Sequence, residues 1–153
     1  VSSNPFSRRD AGLSKLANVF WLFLALVGLA ALGYYVIYPA IVDIQARKIC
    51  EDLVREAEDE GDALGHRVNL PGKAGQTAID YGKRTLSHIN MGLKHYKVWV
   101  REKAIHVVEK ITKKSAWDWG YDHQGSPDRE DNARAIQKIE EWYKKVKDDP
   151  NVK

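Results

Sequence analysis

Asp118, Asp122 and His123 stand close together in the stretch SAWDWGYDHQGSP, and His88, His95 and His106 lie in the basic stretch that precedes it. Carboxylate and imidazole are suitable donors for several divalent metals. Here, however, the three candidates sit in a segment broken by Gly120, Gly125 and Pro127, and they read as solvated loop residues. His88 and His95 are seven residues apart, so they share roughly one face of a helix, with no further ligand cluster beside them. Cys50 is the one cysteine. It can form no intrachain disulfide, and no local base is placed to make it a nucleophile. The chain has no phosphate-binding glycine loop, no nucleophile elbow, no paired zinc-binding histidines and no cysteine pair for a metal. The reading is therefore noncatalytic, with no catalytic, cofactor-binding or metal-ligating residue assigned.

The elements that must position these side chains begin with LANVFWLFLALVGLAALGYYVIYPAIV, Leu16–Val42, which contains no charged residue. As a helix it rises about 40 Å, whereas about 20 residues suffice to cross a bilayer. It has no polar face of the kind a helix buried in a small soluble protein keeps. Phe20, Trp21 and Phe23 toward one end, and Tyr34, Tyr35 and Tyr38 toward the other, match the aromatic bands of a membrane span. With no Asp, Glu, Lys, Arg or His inside it, the segment offers no proton relay or ion site and reads as an anchor. Residues 1–15 form a short basic lead-in. Arg8, Arg9 and Lys15 on one side balance Arg47, Lys48 and Arg55 on the other, so orientation is not fixed by charge.

After the span the pattern is helical throughout, and no strand is required. In residues 43–75, Ala46, Cys50, Leu53 and Ala57 mark one apolar face, and Gly61–Gly75 reads as a connecting loop. Eight acids face five bases in this segment. Residues 76–114 continue the periodicity through Ile79, Gly82, Leu86, Ile89, Leu93, Tyr96 and Val100, then Ala104, Val107 or Val108, and Ile111. The expectation is one long amphipathic helix of roughly 58 Å, with Gly92 as a possible break. It carries nine Lys or Arg against three acids. Two uses of that charge are open: pairing with the acidic segment in an antiparallel hairpin, or contact with lipid headgroups or an acidic partner through Lys94, Lys97, Arg101, Lys113 and Lys114. Nucleic acid is not expected, because no recognition motif occurs and the net charge is only +3.

Residues 115–127 crowd Trp117, Trp119 and Tyr121 into a short apolar loop. Together with Trp99 and Trp142 these rings are the expected partner anchors, since buried aromatics dominate protein interfaces. In residues 128–153, Ser126 is the expected cap, Pro127 the first helical residue, and Ile136, Ile139, Tyr143 and Val146 the apolar face.

The expected protein is all-α: a single transmembrane helix, then an extended helical hairpin or bundle-like region with a C-terminal helix. Its expected partners are the lipid bilayer and the other subunits of a membrane protein complex, in which it serves as an accessory, scaffold or assembly subunit. In type it resembles the small single-span accessory subunits of respiratory and ATP-synthase assemblies. No asparagine stands in a glycosylation sequon and no cysteine pair occurs, which favours a non-secretory setting, the mitochondrial inner membrane first. The competing readings are a membrane-tethered enzyme using His and Asp residues, and a lipid-surface tether using the basic helix.

Overall fold

The computed structural model describes residues 7–152, with side chains from residue 18 onward. Residues 1–6 of the basic lead-in, and the side chains of Arg8, Arg9 and Lys15, lie outside that description. Every regular element among the described residues is helical: α1 (Ser7–Leu32), a π-helical turn (Gly33–Ile37), α2 (Tyr38–Ala63), α3 (Gly72–Tyr81), a 3₁₀ segment (Gly82–Ser87), α4 (Asn90–Leu93), α5 (Val98–Thr112), α6 (Ala116–Trp119) and α7 (Glu130–Val146). The chain divides into two compact units, residues 1–41 and 42–153.

The first unit holds one long apolar helix. It starts at Ser7, ahead of the expected Leu16. Its large apolar side chains, among them Trp21, Leu29 and Tyr35, are exposed, and its length and composition suffice to cross a membrane. The π-helical turn has a local cause. Pro39 has no N–H to donate, and its ring crowds the carbonyl one turn back, so the preceding turn widens. The Tyr38 N–H accordingly donates to the Gly33 carbonyl, five residues back. α2 then carries both the end of the apolar stretch and the acidic stretch, so residue 42 marks no break in secondary structure.

The second unit packs around α5. Ala46, Cys50, Leu53 and Ala57 of α2 are all buried, as their spacing predicts. So are Leu86, Ile89, Leu93, Val100, Ala104, Val107, Val108 and Ile111, and from α7 Ile136 and Ile139. Tyr96, expected on the same face, is exposed. The single long helix over 76–114 does not form. α3 ends where Gly82 takes φ 72°, a left-handed conformation that glycine adopts without a Cβ penalty. A second break falls at residues 94–97, where Lys97 is extended and α5 starts afresh. Gly92 lies between these breaks, against Ala104, where any side chain would collide with the Ala104 methyl. The short α4 thereby folds back onto α5, and the apolar positions stay inside although the helix is interrupted.

Two boundaries also shift. The connecting loop is shorter than Gly61–Gly75, because α2 runs to Ala63 and α3 begins at Gly72. α7 begins at Glu130, after Arg129, which gives no side-chain cap. Ser126 and Pro127 belong instead to the turn before it, where the Ser126 hydroxyl accepts from the Asp128 N–H at 3.3 Å.

Candidate docking site

The aromatic segment is built on a rigid pedestal. Ser115 and Asp118 form a reciprocal capping box: Asp118 N–H donates to Ser115 Oγ at 3.3 Å, and Ser115 N–H donates to Asp118 Oδ2 at 2.8 Å. These Ser115 donors, its backbone N–H first, hold the Asp118 carboxyl below the usual range. Glu109 accepts from the Ala116 N–H at 2.6 Å, tying the start of α6 to α5. At the other end Tyr121 is buried, and its hydroxyl donates to the Leu93 carbonyl at 2.5 Å. Burial pushes that phenol up to about 12.

This pedestal sorts the rings. Trp119 is 4 % exposed, meets Trp142 edge to face at 6.4 Å between centroids, and lies under the Lys114 ammonium at 4.6 Å. Trp142 is half-buried against the same core. Trp99 stacks on His66 at 4.5 Å and lies across Gly61, where a methyl group would strike the indole. Of the rings expected to face a partner, Trp119 and Tyr121 are buried in internal packing and so are not free to do so, while Trp99 and Trp142 are partly buried. Trp117 alone of the five projects outward, 89 % exposed. Successive residues of one helical turn point about 100° apart, so a turn that buries Trp119 turns Trp117 to solvent.

Trp117 forms one side of a groove of about 450 Å³ between α5 and the segment after α6. Leu70, Ile105 and Tyr121 supply its other apolar surface, and Glu102, Glu109 and Asp122 its carboxylates. His106 and His123 also line it, and no Lys or Arg does. Burial, with Lys110 adding to it, lowers the His106 imidazole below its usual value against the opposing pull of Glu109 and Glu102.

The backbone around the groove is held by two buried polar side chains. Asn132 accepts from Asp122 N–H and donates to the Asp122 carbonyl, both at 2.8 Å, and to the Ser126 carbonyl at 2.9 Å. Arg101, 2 % exposed, donates to four carbonyls: His95 at 2.7 Å, Tyr96 at 2.8 Å, His123 at 3.1 Å and Gly125 at 2.9 Å. Two of these carbonyls were freed by the break before α5, and a guanidinium has enough donors to satisfy them all. Arg101 is thus no lipid or partner contact.

Part of the basic stretch is used likewise. Lys97 pairs with Glu58 at 3.2 Å and Asp62 at 3.1 Å. The Asp62 hydrogen bond leads the effects that raise its ammonium above the usual value. His95 approaches Glu58 at 3.6 Å, and His88 meets Asp43 at 2.9 Å. Of the proposed surface cations, Lys94, Lys113 and Lys114 remain exposed. The residue that sequence reasoning missed is Lys103. It is fully buried, at 0 % exposure, and its ammonium lies 2.5 Å from Glu56 and 2.8 Å from Glu60. Its signal was present: position 103 falls between Val100 and Val107 on the apolar face, and the same heptad logic places Arg101 beside Ala104, Ile105 and Val108.

The remaining chemical candidates are engaged. Asp122 faces Arg129 at 3.4 Å and accepts from Gln124 N–H at 3.0 Å, and His123 contacts the Gln124 amide at 3.0 Å. Among the described residues no group of three or more His, Cys, Asp or Glu side chains could hold a metal ion. Cys50 donates to the Thr85 carbonyl at 3.4 Å, and burial, then Glu51, pushes its thiol up to about 12. Searches against protein-family models, curated proteins and solved structures return no match. The site's own chemistry must carry the functional reading.

Proposed function

We propose that this chain is a single-pass, noncatalytic subunit of a larger membrane protein complex, in which α1 is the anchor and the helical unit 42–153 the docking module. The observation that carries this reading is the exposed apolar surface of the first unit, combined with the exposed Trp117 on a rigid pedestal in the second. Exposed apolar area of that extent is unfavourable in water by roughly 25 cal/mol per Å², and a bilayer covers it without any partner chain. Trp117 is costly to leave in water for the same reason, and burying such a ring is worth about 1.5–3 kcal/mol. The side chains with acid–base potential support a structural use, since Lys103, Glu56, Glu60, Arg101 and Cys50 are occupied in packing contacts.

The test is extraction followed by purification. Alkaline carbonate should leave the chain in the membrane pellet, and mild detergent should bring it out with a stoichiometric larger assembly. Release by carbonate rejects the anchor. A lone monodisperse chain that turns over a substrate rejects the noncatalytic role. The mitochondrial inner membrane is the first compartment to fractionate, on the strength of the lone Cys50 and the missing sequon.

A further inference from the structure

We infer that the groove beside Trp117 takes a cationic partner segment: a stretch of polypeptide presenting an apolar side chain next to arginine or lysine. This inference rests on the docking role proposed above and specifies the chemistry of what docks. The groove joins two surfaces that such a segment needs. Trp117 and Leu70, 89 % and 42 % exposed, offer apolar area not yet covered. Glu102, Glu109 and Asp122 line the same groove without any Lys or Arg among the lining residues. The whole chain carries a net charge of +3, so this acidity is a local arrangement and does not follow from composition.

The carboxylates differ in availability. Glu109 already accepts from Ala116 N–H and faces His106 at 3.9 Å, while Asp122 faces Arg129. Glu102 is in no ion pair among the described residues. No Lys or Arg lines the groove to offset Glu102. An arginine suits this geometry best, because its planar guanidinium can lie on the Trp117 ring while its edge donates to a carboxylate. The pedestal favours binding further. The backbone that carries Trp117 is tied by the capping box and the Glu109 bond, so the turn itself needs no ordering at the moment of docking. Anionic lipid headgroups fit poorly, since they would meet these three carboxylates.

The experiment uses the full chain in phosphatidylcholine nanodiscs, with 5-fluorotryptophan incorporated at position 117 and read by fluorine NMR. Two capped hexapeptides serve as probes, one alternating leucine with arginine and one alternating leucine with glutamate. The arginine peptide should produce a saturable shift that weakens as salt is raised, and the glutamate peptide should produce none. Glu102→Arg should weaken the arginine peptide by about tenfold or more, and Glu102→Gln by less, with both variants keeping the wild-type circular dichroism. Equal responses to the two peptides, no response to either, or an unchanged titration in Glu102→Arg would overturn the inference. So would a shift caused by adding phosphatidylglycerol to the nanodisc without peptide, which would make Trp117 a lipid contact. A chain that stays in the carbonate pellet and copurifies with its assembly while position 117 stays silent rejects the groove alone. Release by carbonate rejects the anchor alone.

Discussion

Replacing Lys103 with methionine tests the packing logic of the helical unit most directly. The ammonium is fully buried, with two carboxylates at 2.5 Å and 2.8 Å, so the substitution keeps the volume and strands Glu56 and Glu60 without their cation. Removing one partner of a buried ion pair costs about 3–5 kcal/mol. Both glutamate side chains retain 22 % exposure, so water reaches them and the lower end, about 3 kcal/mol, applies. At about 4 °C per kcal/mol for a unit of this size, the melting temperature should fall by roughly 12 °C. Tryptophan fluorescence in mild detergent reads the transition, because Trp99, Trp119 and Trp142 all sit in the packing. Adding Glu56→Gln and Glu60→Gln to Lys103→Met should recover at least half of the loss, since no bare charge then remains. The pH dependence has a definite sign. Burial raises the Glu60 carboxyl, but the Lys103 and Asn69 donors outweigh it and hold the group below its usual 4.5. A depressed folded value gives stability that is present above 4.5 and is lost as pH falls through the folded value. The gap between wild type and Lys103→Met should therefore narrow below pH 4.5. A variant that melts within about 2 °C of wild type at neutral pH would refute the reasoning, because that corresponds to well under 1 kcal/mol.

The other perturbations separate roles that lie close together in the chain. Trp119→Ala should cost about 3–5 kcal/mol in chemical denaturation, as for other buried aromatics, whereas Trp117→Ala should stay within about 0.5 kcal/mol and instead release the chain from its assembly in copurification. The reverse pattern would place Trp117 in the core and Trp119 at the partner. Arg101→Lys keeps the charge but cannot reach four carbonyls, so it should lose about 2–3 kcal/mol by urea titration as buried carbonyls go unpaired; full stability would mean the guanidinium contacts are dispensable. Leu29→Arg places a cation within the apolar helix and should raise the insertion free energy by about 2.5–3.5 kcal/mol, seen as reduced carbonate-resistant material. Undiminished insertion would argue against α1 as a span.

Spacing alone determined most of the apolar positions that go inside. Ala46, Cys50, Leu53 and Ala57, and the long series from Leu86 to Ile111 apart from the exposed Tyr96, are buried as their three–four periodicity requires, although the second series is not one helix. Burial follows from which side of the chain is apolar, and short α and 3₁₀ turns that keep that side inward satisfy the same pattern. The uncharged stretch is likewise one that its sequence marks as a long apolar helix, because helix length and hydropathy need no tertiary partner. Tertiary structure decided what the spacing could not. Gly92 against Ala104 and Gly82 in a left-handed conformation set where the basic stretch folds back. That folding chose which cations are interior: Arg101 finds carbonyls at 123 and 125, and Lys103 finds carboxylates at 56 and 60. Trp117 and Trp119 are two residues apart and alike in type, yet one is outside and the other inside. Only the direction in which the capped turn of α6 faces the core distinguishes them, and that direction is set by Glu109 and Leu93, which anchor the segment from elsewhere in the chain.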